Sequence, residues 1–208
     1  MNRIALALMV VLLGATRAGA AVIGFESLAN PGPGVYDVGF TYSEAGFTLT
    51  EFDPDNVLPF VTFGQGETRY GGSPALYNNN GDGGTRLTRD GGGEFALLSI
   101  DLANDKRFGA TAITFTGTKS DASTVSQSFT IDTNNVLTMF QFSSDFTDLT
   151  KVEWRQLSPF HQFDNITVET PATPVPEPGT MALMAVGFAV LARRQHARKQ
   201  RTGGPIGG

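Results

Sequence analysis

The chain has 208 residues, no cysteine and a formal net charge of −5, so a disulfide framework, a thiol nucleophile and a thiolate metal site are excluded. The charge is unevenly spread: residues 22–170 hold 8 Lys and Arg against 19 Asp and Glu, net −11, and the other basic residues sit in the two ends. So acidic a middle disfavours nucleic acid, whose phosphates are bound by Lys and Arg displacing counterions, and suits a neutral glycan or a cation.

Residues 1–20 have a basic start at Arg3, an apolar stretch over 4–15 and the small-residue triplet Ala18-Gly19-Ala20. That order is a secretory signal peptide with cleavage expected after Ala20. Residues 22–170 have the length of one domain with a core able to stand alone.

The domain is expected to be all-β. Short runs rich in Thr, Phe, Val and Ile, separated by turn residues, predict strands over 22–26, 46–52, 58–63, 94–102, 112–118, 124–131, 136–142, 149–155 and 161–169. In Ile113-Thr114-Phe115-Thr116 the apolar pair faces inward and the threonines outward, and Val125, Gln127, Phe129 and Ile131 share a mostly apolar face. Sixteen Phe against one Trp and four Tyr place most aromatics in a core between two sheets. The fold expected is a two-sheet antiparallel β-sandwich, a jelly roll.

Residues 64–93 are dense in glycine and predict a long surface loop region. Within them Asn78-Asn79-Asn80-Gly81-Asp82-Gly83 has oxygen donors at alternate positions, as in the first half of a calcium loop. The alternative is an Asn/Gly turn, since Arg89 stands where such a loop needs Glu. Tyr70 and Tyr77 lie in the same stretch and are candidates, with Trp154, for stacking on a sugar ring. Alternation also allows Trp154 a core position, opposite in facing to Glu153 and Arg155. The domain's one histidine, His161, begins the last predicted strand, where a strand-edge position is the alternative to a catalytic base. No G-x-S-x-G elbow, H-E-x-x-H zinc site or phosphate loop occurs.

The tail is organised differently. A Pro-rich linker over 171–179 contains Pro176-Glu177-Pro178; residues 180–194 form an uncharged run closed by Arg193-Arg194; residues 195–208 are a basic, Gly-rich extension. As a helix the uncharged run is roughly 20 Å long against a hydrocarbon core of roughly 30 Å, so it spans only marginally. The flanking arginines place its end on the cytoplasmic side, and the prolines uncouple it from the domain. A buried C-terminal helix is the alternative.

Val175-Pro176-Glu177-Pro178-Gly179-Thr180, the apolar run and the arginines, in that order near the C-terminus, resemble the PEP-CTERM sorting signal of Gram-negative bacteria. The resemblance implies processing near the tripeptide by an exosortase, transient anchoring in the inner membrane, and delivery to the surface or extracellular matrix of bacteria that make exopolysaccharide and grow as biofilm. The apolar run is shorter than that family's usual span.

A second resemblance rests on Phe25-Glu26-Ser27-Leu28, the segment Gly91 to Leu102, Ile113-Thr114-Phe115-Thr116-Gly117 and Phe163-Asp164-Asn165-Ile166-Thr167-Val168. Together they look like bacterial galactose-binding-like jelly rolls. In that superfamily the first and last strands are neighbours and often share structural calcium, which implies that Glu26 and Asp164 lie near one ion. Hard calcium takes such oxygens; strand-end capping is the other role open to them.

The residues leave three functions open. The first is a non-catalytic exported surface or matrix protein associated with exopolysaccharide. The second is a glycan-active enzyme, and the third a purely structural surface domain.

Overall fold

The computed structural model describes residues 19–52, 58–105, 109–156, 160–171 and Phe188. The strands are β1 (Gly19–Ile23), β2 (Val35–Gly39), β3 (Thr41–Glu44), β4 (Phe47–Glu51), β5 (Phe60–Phe63), β6 (Leu76–Asn78) and β7 (Gly84–Arg89), followed by β8 (Ala96–Asn104), β9 (Thr111–Lys119), β10 (Thr124–Ile131), β11 (Thr138–Gln141), β12 (Leu149–Arg155) and β13 (His161–Thr170). One 3-10 turn, Glu26–Leu28, follows β1. All lie within one compact unit, Ala18–Pro171.

Two antiparallel sheets result, as the sequence predicts. One has seven strands in the order β11-β8-β13-β6-β5-β2, with β1 also paired to β13; the other has six, β10-β9-β12-β7-β4-β3. β13 organises the first sheet. Gln162 and Phe163 pair with β6, Ile166 to Thr170 pair with β1, and nearly the whole strand pairs with β8.

The core between the sheets follows from alternation. Phe47 and Leu49 of β4, Leu87 of β7, Ile113 and Phe115 of β9, Val152 and Trp154 of β12, and Ile100, Leu102, Phe163 and Leu76 opposite them are all buried. Burial at about 25 cal/mol per Å² of apolar surface is what holds the sheets face to face. Phe115 packs against Trp154, and Trp154 meets Phe163 edge-on, with ring centroids 5.1 Å apart in each pair.

Three expectations need correction. Residues 64–93 are not loop throughout, since β6 and β7 lie inside them; the short Leu-Tyr-Asn run and the Thr-Arg-Leu-Thr run are strands because tertiary pairing outweighs the surrounding glycine. The chain crosses between sheets through the Asn78 to Gly83 segment, which forms the Asn/Gly turn and not a cation loop. Asn78 is buried, its Nδ2 donating to Thr85 Oγ1 at 3.3 Å and its Oδ1 accepting the Asn80 N–H at 3.1 Å. Finally, the sheet starts three residues before residue 22: Gly19 pairs with Thr170 and Ala20 with Glu169. Trimming after Ala20 leaves Ala21, Val22 and Ile23 paired. Ala18, the linker, Pro176 to Pro178, and Arg193 and Arg194 lie outside the described residues. Of the uncharged run only Phe188 is described, in helical conformation and 65% exposed. Among the described residues no helix is long and apolar enough to cross a membrane.

Candidate functional site

Two aromatics proposed for sugar stacking are in the interior. Trp154 is 3% exposed between Phe115 and Phe163. Tyr77 is also 3% exposed and belongs to a second small core with Val61 and Phe63 on the outer side of the seven-stranded sheet. The cause is the segment around residues 64–75, which lies over that face. Gln162 Nε2 donates to Arg69 O at 2.7 Å, and Asn135 Nδ2 donates to Thr68 O and Tyr70 O at 3.1 and 3.2 Å. The Arg69 guanidinium caps the Phe63 ring, 4.2 Å from its centroid. Tyr70 is half-buried against this layer. A ring closed in on both faces has none left for a sugar, so Tyr77 and Trp154 are core residues.

The pair expected to share calcium is also rearranged. Asp164 is fully buried, directly opposite Asp101 on β8. Its carboxyl is pushed up to about 6, first by burial and then by the charges of Asp101 and Glu26, against hydrogen bonds from Ser73 and the Asn165 N–H that lower it. Glu26 itself is exposed on the 3-10 turn. Asn165, held at φ 46°, brings its Nδ2 within 2.9 Å of Asp101 Oδ2 and 3.4 Å of Asp164 Oδ2. Nitrogen donors thus occupy the approach to both carboxylates, where a cation would need oxygens. Among the described residues no three His, Cys, Asp or Glu side chains form a group able to hold a metal. The residues do not fit a calcium site.

His161 is not at a surface edge. It is 1% exposed, neither ring nitrogen has a hydrogen-bond partner, and burial lowers its pKa to about 3. A base so enclosed meets no substrate proton.

The candidate surface is the outer face of the six-stranded sheet, built by the polar positions of the strands whose apolar positions make the core. Register aligns Thr41, Thr50, Arg86, Glu153, Thr116 and Ser126 in one row across all six strands. Beside it, Thr114 and Ser128 are paired and joined by a hydroxyl hydrogen bond of 2.7 Å, and Thr116 and Ser126 by one of 3.1 Å. At the centre Glu153 accepts from Arg86 Nε at 2.6 Å and Lys151 Nζ at 2.9 Å. Burial raises the Glu153 carboxyl, but those two partners outweigh it and hold the pKa below the ordinary value.

One aromatic belongs to this face. Phe52 lies against β7 at Gly84, where a Cβ would overlap the ring. The Arg86 and Arg155 guanidinium carbons stand 4.9 and 5.6 Å from its centroid. Arg155 Nη1 also donates to Asp82 O at 3.0 Å. Phe52, Thr114, Thr116, Glu153 and Arg155 line a depression of about 390 Å³. Aromatic surface, guanidinium forks and a field of hydroxyls are the groups that bind polyhydroxyl ligands. Sequence reasoning missed this site because it searched the Tyr and Trp residues. The outward threonines of β9 were legible, but the convergence of five other strands on them was not.

Residues 174–199 match the PEP-CTERM protein-sorting motif. No curated protein matches the chain. Among solved structures, a carbohydrate binding module of family 29 is similar at 15% identity, covering 74% of this chain and 90% of that one, with a TM-score of 0.43. The Agl-KA catalytic domain is similar at 13% identity over 83% and 32%, TM-score 0.30. A GH26-CBM35 β-(1,4)-mannanase of Podospora anserina is similar at 14% over 77% and 29%, TM-score 0.24. The sandwich is defined by this chain's own strand pairing.

Proposed function

We propose that the protein is an exported, non-catalytic component of the cell surface or extracellular matrix, sorted through its C-terminal motif and associated with exopolysaccharide. The observation that carries the reading is the sorting motif at residues 174–199, directly after a β-sandwich whose last strand ends at Thr170. An exosortase recognises Pro176, Glu177 and Pro178 with Arg193 and Arg194, while the uncharged run holds the chain at the inner membrane with the sandwich outside. The signal peptide, ending at Ala18-Gly19-Ala20, opens the route.

The outer face of the six-stranded sheet is the surface offered to glycan. Its Thr and Ser hydroxyls match sugar hydroxyls in both donor and acceptor character, and the half-buried Phe52 ring adds apolar area beside them.

Mass spectrometry of the mature protein from its host tests the sorting half: the expected species starts at Ala21 and ends near Pro176. A species retaining residues 180–208 would overturn exosortase processing. Retention of the full-length protein in polysaccharide-containing gels, reduced in Thr116→Ala with Phe52→Ala, tests the other half; migration unaffected by every polysaccharide would overturn glycan association.

A further inference from the structure

The first strand of the sandwich is also where the export signal is expected to end. β1 pairs antiparallel with β13 in the register Gly19 to Thr170, Ala20 to Glu169, Ala21 to Val168, Val22 to Thr167 and Ile23 to Ile166. The bond expected to be cut, between Ala20 and Ala21, therefore lies inside a ladder, with two paired residues before it and three after it. Thr170 Oγ1 donates to Gly19 O at 3.4 Å. Gly19 and Ala20 are exposed, whereas Ile23 is 1% exposed in the core with Ile166 and Val168, and Ala21 packs against them. The far end of β1 is thus what holds the strand in place.

Resting on the proposed export through a signal peptide, we infer that β1–β13 pairing closes the cleavage site, so that the cut has to come before the sandwich is complete. A protease takes its substrate as an extended segment whose backbone is free to pair with the enzyme, and backbone already in a ladder must first come out of it. Fraying of Gly19 and Ala20 frees the residues before the cut at little cost. Freeing those after it withdraws Ala21 and Ile23 from the core.

Chain order supplies the interval in which the bond is open. Among the described strands β1 pairs with β13 alone, and β13 is the last of them. Gly19 and Thr170 are 151 positions apart, so in export from the N-terminus β1 has no partner until nearly the whole domain has followed it. A chain that folds uncut keeps the signal peptide and the linker attached at neighbouring residues, tethered by both. A chain cut first leaves the α-ammonium of Ala21 one register position from Glu169, whose carboxylate attracts it, and β13 then closes on a three-residue strand.

Full-length protein is refolded in detergent micelles and treated with purified bacterial signal peptidase, and cleavage is read by intact mass. The folded chain is expected to be cut after Ala20 about 10- to 100-fold more slowly than a chain ending at Gln156, which lacks β13; that factor is what withdrawing Ile23 from the core implies. Ile23→Ser, three residues beyond the cut, is expected to recover most of the rate while a cooperative melt shows the sandwich still folded. The chain has no cysteine, and register partners in an antiparallel pair lie about 4.5–5.5 Å apart, within disulfide reach. Gly19→Cys with Thr170→Cys therefore locks the ladder reversibly: the oxidised protein is expected to resist cleavage, and the reduced protein to be cut at the rate of the folded wild type. Equal rates with and without β13, cleavage of the oxidised protein as fast as the reduced one, or an Ile23→Ser chain that melts cooperatively yet is cut no faster would each overturn the inference while leaving export standing. No cleavage after Ala20 in any of these chains would overturn the signal-peptide assignment and the inference with it.

Discussion

Asp101 and Asp164 face each other across neighbouring strands, and the side-chain amide of Asn165 reaches both, 2.9 Å from one and 3.4 Å from the other. Two carboxylates in this position repel, and Asp164, fully buried, resists ionisation with a pKa of about 6. The Asn165 backbone takes the left-handed conformation that lets its own N–H donate to Asp164 Oδ1 at 2.7 Å. The backbone N–H and side-chain amide of Asn165 are what these two carboxylates accept from.

Asp164 should make the protein more stable in mild acid. Its folded pKa lies above the unfolded value of 3.8, so the folded state binds the proton more readily, and stability falls as pH rises through about 4 to 6. Acidifying from pH 7 to 5 should return about 1 kcal/mol from this group. Asp164→Asn removes the ionisation, so its stability advantage over wild type should be larger at pH 7 than at pH 5 in urea melts with EDTA present. An advantage independent of pH would show that Asp164 is charged in both conditions.

His161 should act in the opposite sense. Its folded pKa, about 3, lies below the ordinary 6.5, so the unfolded chain takes up the proton and stability is lost as pH falls below about 6.5. Between pH 7 and 5 the loss is about 2 kcal/mol. Asp164 and His161 therefore partly cancel, and wild type should look flatter with pH than either variant. His161→Leu, which also removes two buried nitrogens without partners, is expected to be more stable than wild type, with a margin that widens on acidification. A constant margin in chemical denaturation would refute the titration.

How much of this was legible in the sequence depended on whether burial was local. The alternation in β9, β10 and β12 fixed their strands and inward faces, because each strand's own period decides which side meets the core. Tyr77 and Trp154 show the limit from two directions. Trp154 takes the core position that alternation allowed. Tyr77 points to the outer side of its sheet, where local pattern implies exposure, and is covered because Gln162 and Asn135, both far away in sequence, pin the segment just before it over that face, with Phe160 packed on its ring. Phe52 was overlooked for a related reason, since nothing near it in sequence announces Gly84 as its floor.

Asn135 is a single point where that covering layer can be loosened. Its Nδ2 bonds two carbonyls, Thr68 O and Tyr70 O, more than sixty positions away in sequence. Asn135→Ala should cost about 1–2 kcal/mol, the usual net worth of such bonds at a part-buried site. It should also speed limited proteolysis within residues 64–75 while leaving the two-sheet core cooperative. Cleavage rates unchanged across that segment would mean that Gln162 and the Arg69–Phe63 contact hold the layer without it.

Gly84 tests whether the Phe52 ring is part of the binding face. The glycine is buried within β7, and a side chain there would enter the space the ring fills. Strand pairing with Arg155 and the Phe52 N–H bond to Gly84 O, 3.1 Å, fix the backbone, so the ring must move. Gly84→Val should therefore lift Phe52 away from Arg86 and Arg155 at a cost of about 1–3 kcal/mol, the range for an overpacked site. A β-branched residue favours a strand in itself, which keeps the cost towards the lower end. Polysaccharide retention should fall as much in Gly84→Val as in Phe52→Ala, and combining the two should cost little more than either alone, because both remove the same ring from the same place. Additive losses in retention would mean that the glycine and the ring act separately and that Phe52 is not held in its binding position by the floor beneath it.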